Sequence, residues 1–283
     1  MIRKALAIAA ALGCAVASGL PAAAETTAMP LKEAHWSFEG PLGRFDQEQL
    51  QRGYKVYHDV CSACHAMSLM SYRNLGQPGG PFYDPKYPNP NDNPYVKTIV
   101  KDYQVADIDT DTGDPIKRPA TPADAFVSPF PNEYAARGSN GGALPPDLSL
   151  IIKAREGGPR YVYSILTGYA PAPVGLKVPT ARYYNPYMRG DLSSFWSGPA
   201  DKVPPGGFIA MPFQLTPNRV TFDDGVAATT DQQAKDVVAF LAWASEPHAD
   251  ERKTLGLSVL VFLLIFTGLL YASYRAIWKD VDH

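Results

Sequence analysis

Residues 57–65 read Tyr57-His58-Asp59-Val60-Cys61-Ser62-Ala63-Cys64-His65. Two cysteines three apart on one helical turn, followed at once by a histidine, form a c-type haem attachment site. The thiols add across the two vinyl groups on one edge of the ring, and the imidazole is then held beneath it as an iron ligand. Other uses of the motif ask for more than the chain offers. A structural zinc site needs two further ligands, and the remaining cysteine, Cys14, lies in the N-terminal segment. A thioredoxin-like pair needs a strand-to-helix setting, whereas the residues before Cys61 carry a helical pattern.

Upstream, Asp46 with Gln49 reads as a capping box. Leu50, Tyr54, Tyr57 and Cys61 then follow helical spacing along one apolar face. Gly53 on this helix would permit close approach of another. The haem motif therefore sits at the C-terminal end of an amphipathic helix.

The second axial ligand must come from His35, His58, His248, His283, Met29, Met67, Met70, Met188 or Met211. His283 lies beyond an apolar segment, and Met67 and Met70 follow His65 too closely to cross to the other face. Met211 is preferred, in the loop Gly206-Gly207-Phe208-Ile209-Ala210-Met211-Pro212 before the last soluble helix; Met188 is the alternative. Methionine ligation raises the reduction potential and closes the iron to small ligands, which suits electron transfer.

The remainder of the 283-residue chain is organised around this unit. Residues 1–24 read as a cleaved secretory signal, with Arg3 and Lys4 ahead of an alanine-rich apolar stretch and Ala22-Ala23-Ala24 before Glu25. A lipoprotein signal ending at Cys14 is the rival reading. With Cys14 removed, no cysteine is left for a structural disulfide. The chain has 27 prolines, and residues 81–131 and 170–206 read as long surface loops, the first with Asp107, Asp109, Asp111 and Asp114 in a solvated turn. Pro146-Asp147 reads as the start of a short helix burying Leu148, Ile151 and Ile152. A second helix is expected over about 159–166. Thr230 with Gln233 suggests another capping box, ahead of a stripe of Val237, Val238, Leu241 and Ala244, with Phe240 and Trp243 as core residues. Leu255 to Tyr274 is apolar and uncharged, long enough to span a bilayer core of about 30 Å.

The boundaries expected are thus 1–24 signal, 25–253 periplasmic haem domain, 254–274 transmembrane anchor and 275–283 cytoplasmic tail. Basic residues flank both ends of the anchor, so the signal sets the orientation. This describes a single-pass protein of a bacterial inner membrane. Residues 25–250 carry a net charge of −5, an acidic balance that can steer a basic mobile partner. Nothing points to nucleic acid.

Several runs resemble the cytochrome c1 family, the haem subunits of bc1 complexes. They include Trp36-Ser37-Phe38-Glu39-Gly40, Arg52-Gly53-Tyr54-Lys55-Val56-Tyr57, and Gly142-Ala143-Leu144-Pro145-Pro146-Asp147-Leu148-Ser149. Tyr163-Ser164-Ile165-Leu166-Thr167-Gly168-Tyr169, Tyr184-Asn185-Pro186-Tyr187, Ile209-Ala210-Met211-Pro212 and Trp243-Ala244-Ser245-Glu246-Pro247 follow in the family's order. The resemblance implies a mainly α, cytochrome c-like haem domain with long Pro-rich loops and one C-terminal transmembrane helix. It implies one covalently bound haem c, with thioether bonds at Cys61 and Cys64 and axial ligands His65 and Met211. Arg155 and Tyr161 would bind propionates, and Pro146 would lie near His65. A disulfide found near the distal loop in some relatives has no cysteines here.

By the same resemblance, the chain is the electron-transfer subunit of a ubiquinol–cytochrome c oxidoreductase, with no acid–base chemistry of its own. Its partners would be a cytochrome b subunit, a Rieske iron–sulfur protein and a soluble or tethered c-type cytochrome, in a dimeric complex. An independent anchored carrier, an oxidase subunit and a haem peroxidase are the alternatives. The peroxidase would require an open iron position or a second haem motif.

Overall fold

A computed structural model describes residues 28–280; the signal segment expected over 1–24 lies outside them. Helix α1 (Gln47–Val56) begins at Asp46, whose carboxylate accepts the Gln49 N–H at 2.8 Å. The box expected there is half made. The Gln49 side chain turns away and donates to Asp236 at 3.0 Å instead. At Tyr57–Cys61 the helix widens into a π turn, closed by the Ser62 N–H donating to the Tyr57 carbonyl at 2.8 Å. The chain continues through α2 (Pro94–Val100), α3 (Glu133–Ser139), α4 (Gly158–Thr167), α5 (Thr230–Ser245) and α6 (Ala249–Ile277). Few strands accompany these helices, in keeping with a mainly α domain.

Helix α5 is the centre of the core, packed against α1 and α4. Val238, Phe240 and Trp243 are fully buried, and apolar burial runs almost all round its second half. The Phe240 ring meets Tyr54 and Tyr57 with centroids 5.6 and 5.7 Å apart. Close approach of the two helices depends on Gly53. A Cβ at that position would lie 2.7 Å from the Phe240 Cβ and closer still to the Asp236 carbonyl oxygen. Beside the crossing, the buried Asp236 carboxylate accepts from Arg52 Nε at 2.9 Å and from Gln49 and Gln232, which compensates its loss of water. Burial still pushes this carboxyl above its usual range.

Three local readings are corrected. The N-cap of α5 is Thr229, whose hydroxyl accepts the Gln232 N–H. Thr230 donates to the Leu215 carbonyl, and Gln233 is buried, donating to the Thr216 and Ala228 carbonyls. The Pro146-Asp147 segment forms a series of turns, not a helix; one Asp147 oxygen does accept the Ser149 N–H, but the other is drawn to Ser68, and Leu148, Ile151 and Ile152 are buried as expected. The two Pro-rich stretches contain regular structure: α2, a hairpin of β1 (Gln104–Ile108) with β2 (Pro115–Pro119), and a ribbon of β3 (Tyr183–Asn185) with β4 (Gly207–Ile209). Short strands between prolines leave little periodicity to read.

Helix α6 runs 29 residues, and its most apolar 18-residue window has a mean hydropathy of 2.4 and is not buried against the domain. Its first turn is tied to the N-terminal loop. Lys253 Nζ donates to the carbonyls of Phe38 (2.6 Å) and Gly43 (2.9 Å), and Asp250 accepts the Phe45 N–H at 3.1 Å.

Gly53→Ala forces α1 and α5 apart and is expected to cost about 2 kcal/mol, as overpacking of a closed core does. Thermal denaturation of the detergent-solubilised protein should show a fall in Tm of several degrees, whereas Gly256→Ala on the outer face of α6, where the added methyl meets nothing, should leave Tm unchanged.

Candidate haem site

The π turn delivers the motif residues as one tight unit. The Cys61 carbonyl accepts N–H bonds from Cys64 (3.1 Å) and His65 (2.9 Å), so both thiols and the imidazole leave a single turn. Cys61 is half-buried and Cys64 exposed. Burial pushes the Cys61 thiol up to about 12, with the Cys64 thiol adding to the shift. The His65 imidazole is half-buried, and its Nδ1–H donates to the Pro146 carbonyl at 2.8 Å. That bond leaves Nε2 unprotonated and aimed by the backbone, the arrangement that metal-ligating histidines require. Burial lowers the pKa of His65 and outweighs the opposing pull of the Pro146 carbonyl and Asp147, so the ring is neutral at physiological pH.

The segment carrying Pro146 is clamped to the residues after His65. One Asp147 carboxylate oxygen accepts from the Ser68 N–H (2.8 Å) and hydroxyl (2.7 Å), and the other accepts from the Ser149 N–H (2.8 Å). The Leu148 N–H donates to the Ala66 carbonyl at 2.9 Å, and the Leu69 N–H to the Ser149 hydroxyl at 3.1 Å. Sequence reasoning missed this clamp. The available signal was an aspartate between a proline pair and a serine, facing a serine three residues beyond the motif histidine.

Of the other residues singled out, Tyr161 is half-buried on α4, and its hydroxyl reaches only the weak acceptor Met188 Sδ, at 3.5 Å. Arg155 is exposed in the turns before α4 and donates to the Ala154 carbonyl at 3.0 Å. Met211 lies two residues past β4, half-buried, with its carbonyl bound to the Tyr169 hydroxyl at 2.8 Å. Met67 and Met70 are buried in the core. No hydrogen bond among the described residues joins the Met211 side chain to the motif turn.

This donor set fits a haem c group. Two thiols share one turn, a neutral imidazole has its outer nitrogen free, and thioethers stand on other segments. A half-buried phenol without a strong acceptor and an exposed guanidinium with spare donors suit carboxylates.

The comparisons agree with this chemistry. The sequence profile of the Cytochrome C1 family matches residues 36–281. The chain belongs to the cytochrome c1 family. The protein named "Cytochrome c1" of Rhodospirillum rubrum is 43% identical over 289 residues, covering 96% of each chain. "Cytochrome b/c1" of Bradyrhizobium diazoefficiens is 44% identical over 264 residues, covering 87% of this chain and 35% of that longer protein. "Cytochrome c1, heme protein, mitochondrial" of Saccharomyces cerevisiae is 41% identical over 229 residues, covering 81% of this chain and 65% of that protein. Membership assigns this family member to electron transport as a membrane-anchored haem protein.

The Asp147 clamp gives the site a pH signature. Partial burial pushes this carboxyl up, but the hydrogen bonds from Ser149 and Ser68 outweigh it and hold it below the usual carboxylate range. Its contribution is therefore complete above the unfolded pKa of about 4 and fades as pH falls through the lower folded value. In melts of the haem protein, wild type should be more stable than Asp147→Asn at pH 7, and the gap should narrow below about pH 4.

Proposed function

We propose that this protein relays single electrons from a Rieske iron–sulfur protein to a soluble or tethered c-type cytochrome, as part of a quinol-oxidising bc1 complex. The observation that carries the reading is the His65 Nδ1–H bond to the Pro146 carbonyl, braced by Asp147. Covalently bound haem c, when in place, supplies a one-electron couple at its iron. The residues of the chain do the rest. Cys61 and Cys64 would hold the haem through thioether bonds, and His65 and Met211 would ligate its iron. The Tyr161 hydroxyl would donate to a propionate, the Arg155 guanidinium would offset propionate charge, and the Pro146 carbonyl fixes the imidazole. No side chain is asked to move a proton. What electron transfer requires is ligands that stay where they are in both oxidation states.

The same reading sets the topology. Residues 1–24 are a removed signal, 25–253 the periplasmic domain, 254–274 the anchor and 275–283 the cytoplasmic tail. The ties from Lys253 and Asp250 to the N-terminal loop support an anchor that holds the domain at a set pose against a cytochrome b subunit. The complex is dimeric.

An acidic face steers the mobile cytochrome, and the internal pairing of acidic side chains narrows where it lies. Asp107 is paired with Arg118 at 2.5 Å and Asp224 with Arg52 at 2.6 Å, while Asp109 accepts backbone N–H bonds within its own turn. Each arginine is shared with a second carboxylate, Arg118 with Asp124 and Arg52 with Asp236, so both groups keep a net negative charge, and Asp109, Asp111, Asp114 and Asp223 have no basic partner among the described residues.

A reduced-minus-oxidised visible spectrum of the protein purified from membranes in mild detergent should show a c-type band together with co-purifying b-type haem and quinol-driven cytochrome c reduction. A c-type band alone, with no b-type haem in any detergent, would point to an independent carrier. Met211→Leu should abolish the low-spin methionine-ligated spectrum and let the ferrous protein bind carbon monoxide. An unchanged spectrum would remove Met211 as the ligand.

A further inference from the structure

Resting on Met211 as the distal ligand, we propose that Tyr169 is a positioning residue for it, holding the methionine's own peptide with the phenol hydroxyl. The chain has no cysteine near this loop that could staple it, so its stiffness must come from elsewhere.

The loop is held firmly on both sides of Met211. Upstream, β4 pairs with β3, Ile209 opposite Tyr183. The ribbon is bolted to α4 by Asn185, which is fully buried and donates from Nδ2 to the Ile165 carbonyl at 2.9 Å. Downstream, Thr230 holds the Leu215 carbonyl at 2.7 Å, and Gln233 holds that of Thr216 at 2.9 Å. Between these points, Phe213 borders an open hollow of about 470 Å³ together with Tyr169 and Tyr183. The methionine's own peptide is tethered by the Tyr169 hydroxyl, donating to the Met211 carbonyl at 2.8 Å.

The geometry of Tyr169 is itself constrained. It follows α4 immediately, after the C-cap Gly168. A Cβ at Gly168 would collide with the Tyr187 ring, so the glycine lets the end of α4 sit against the ribbon. The Tyr169 ring also packs on Phe213, centroids 5.4 Å apart, two residues beyond the methionine. One side chain thus touches the loop on the ligand's peptide and just after it. A thioether is a weak, neutral ligand, so the population of the closed site depends on how rarely this loop opens. Local openings are governed by such individual contacts.

The test uses the full-length, haem-loaded protein in detergent and carbon monoxide as a probe of an open iron position. Tyr169→Phe removes the hydroxyl and keeps the ring on Phe213. Losing one hydrogen bond to a partly buried carbonyl should raise the open fraction, and with it the carbon monoxide binding rate of the ferrous protein, about tenfold. Residues 204–219 should become correspondingly easier to cleave with a protease, while the covalent haem content stays at the wild-type level. Met211→Leu sets the fully open limit. If Met211→Leu opens the site and Tyr169→Phe binds carbon monoxide no faster than wild type, the tether is wrong and the ligand stands. If Met211→Leu leaves the spectrum and the probe unchanged, the ligand reading fails and the tether with it. If Tyr169→Phe does not accumulate haem, hydrogen exchange on the wild type decides. Amides of 208–211 should be protected like the last turn of α4, and exchange as fast as in the exposed turn at 109–113 would overturn the proposal.

Discussion

The contact on which the rest depends is the crossing of α1 and α5 at Gly53. Because that residue has no side chain, the α5 backbone at Asp236 and the Cβ of Phe240 come directly against it. Phe240 then reaches Tyr54 and Tyr57, the last rings before the haem motif. The crossing thus sets where α1 ends in space, and the π turn at its end sets where Cys61, Cys64 and His65 point. A single methylene at position 53 would be transmitted along a close-packed interior to the ligand-bearing turn. The carboxylate of Asp236 beside it is buried with Arg52 and two glutamines as donors. Such a satisfied polar cluster gives the crossing one register, since sliding either helix would strand a charge in the core.

The parts of this architecture legible in the sequence are those encoded over short separations. The haem motif, the helix ahead of it, Gly53 as the point of approach, and the apolar stripe of the last soluble helix all come from periodicities of a few residues. The long apolar helix reads from composition alone. The parts that escaped are built between distant residues. Asp147 looks like a helix cap by its neighbours, and one oxygen does accept the Ser149 N–H, yet the other is claimed by Ser68, 79 residues earlier. Gln49 looks like the second half of a capping box, yet it serves Asp236, 187 residues later. Local pattern proposes a partner for a polar side chain, but the folded chain assigns it wherever a buried charge or an orphan backbone group would otherwise go unpaired.

The two sides of the site are held by different means. On the histidine side, ligand and support are almost contiguous: the turn at 61–65, and a facing segment zipped to it by backbone and carboxylate bonds. On the methionine side, the segment comes from beyond the long loops that follow α4, and its order rests on a three-residue ribbon, one buried asparagine, the side chains of Thr230 and Gln233 and the hydroxyl of Tyr169. Loops of that length are commonly the softest parts of a domain. With Met211 as the proposed ligand, the softer side is the one on which the coordination of the iron, and hence its potential, is most exposed to substitution.

The membrane helix belongs to the same mechanical system. Lys253 spends two of its donors on the carbonyls of Phe38 and Gly43, and Asp250 takes the Phe45 N–H, so the N-terminal loop is wrapped around the first turns of α6. That loop reaches the core again through Trp36, whose indole N–H donates to the Lys235 carbonyl on α5 at 3.0 Å. An anchor joined by a flexible linker would let the domain tumble above the membrane. One joined at three backbone groups to a loop that is pinned to the central helix carries the orientation of the haem turn with it. For the proposed one-electron relay this matters as much as the ligands do. The distance between donor and acceptor must be set by the resting geometry when no chemical step follows to correct it.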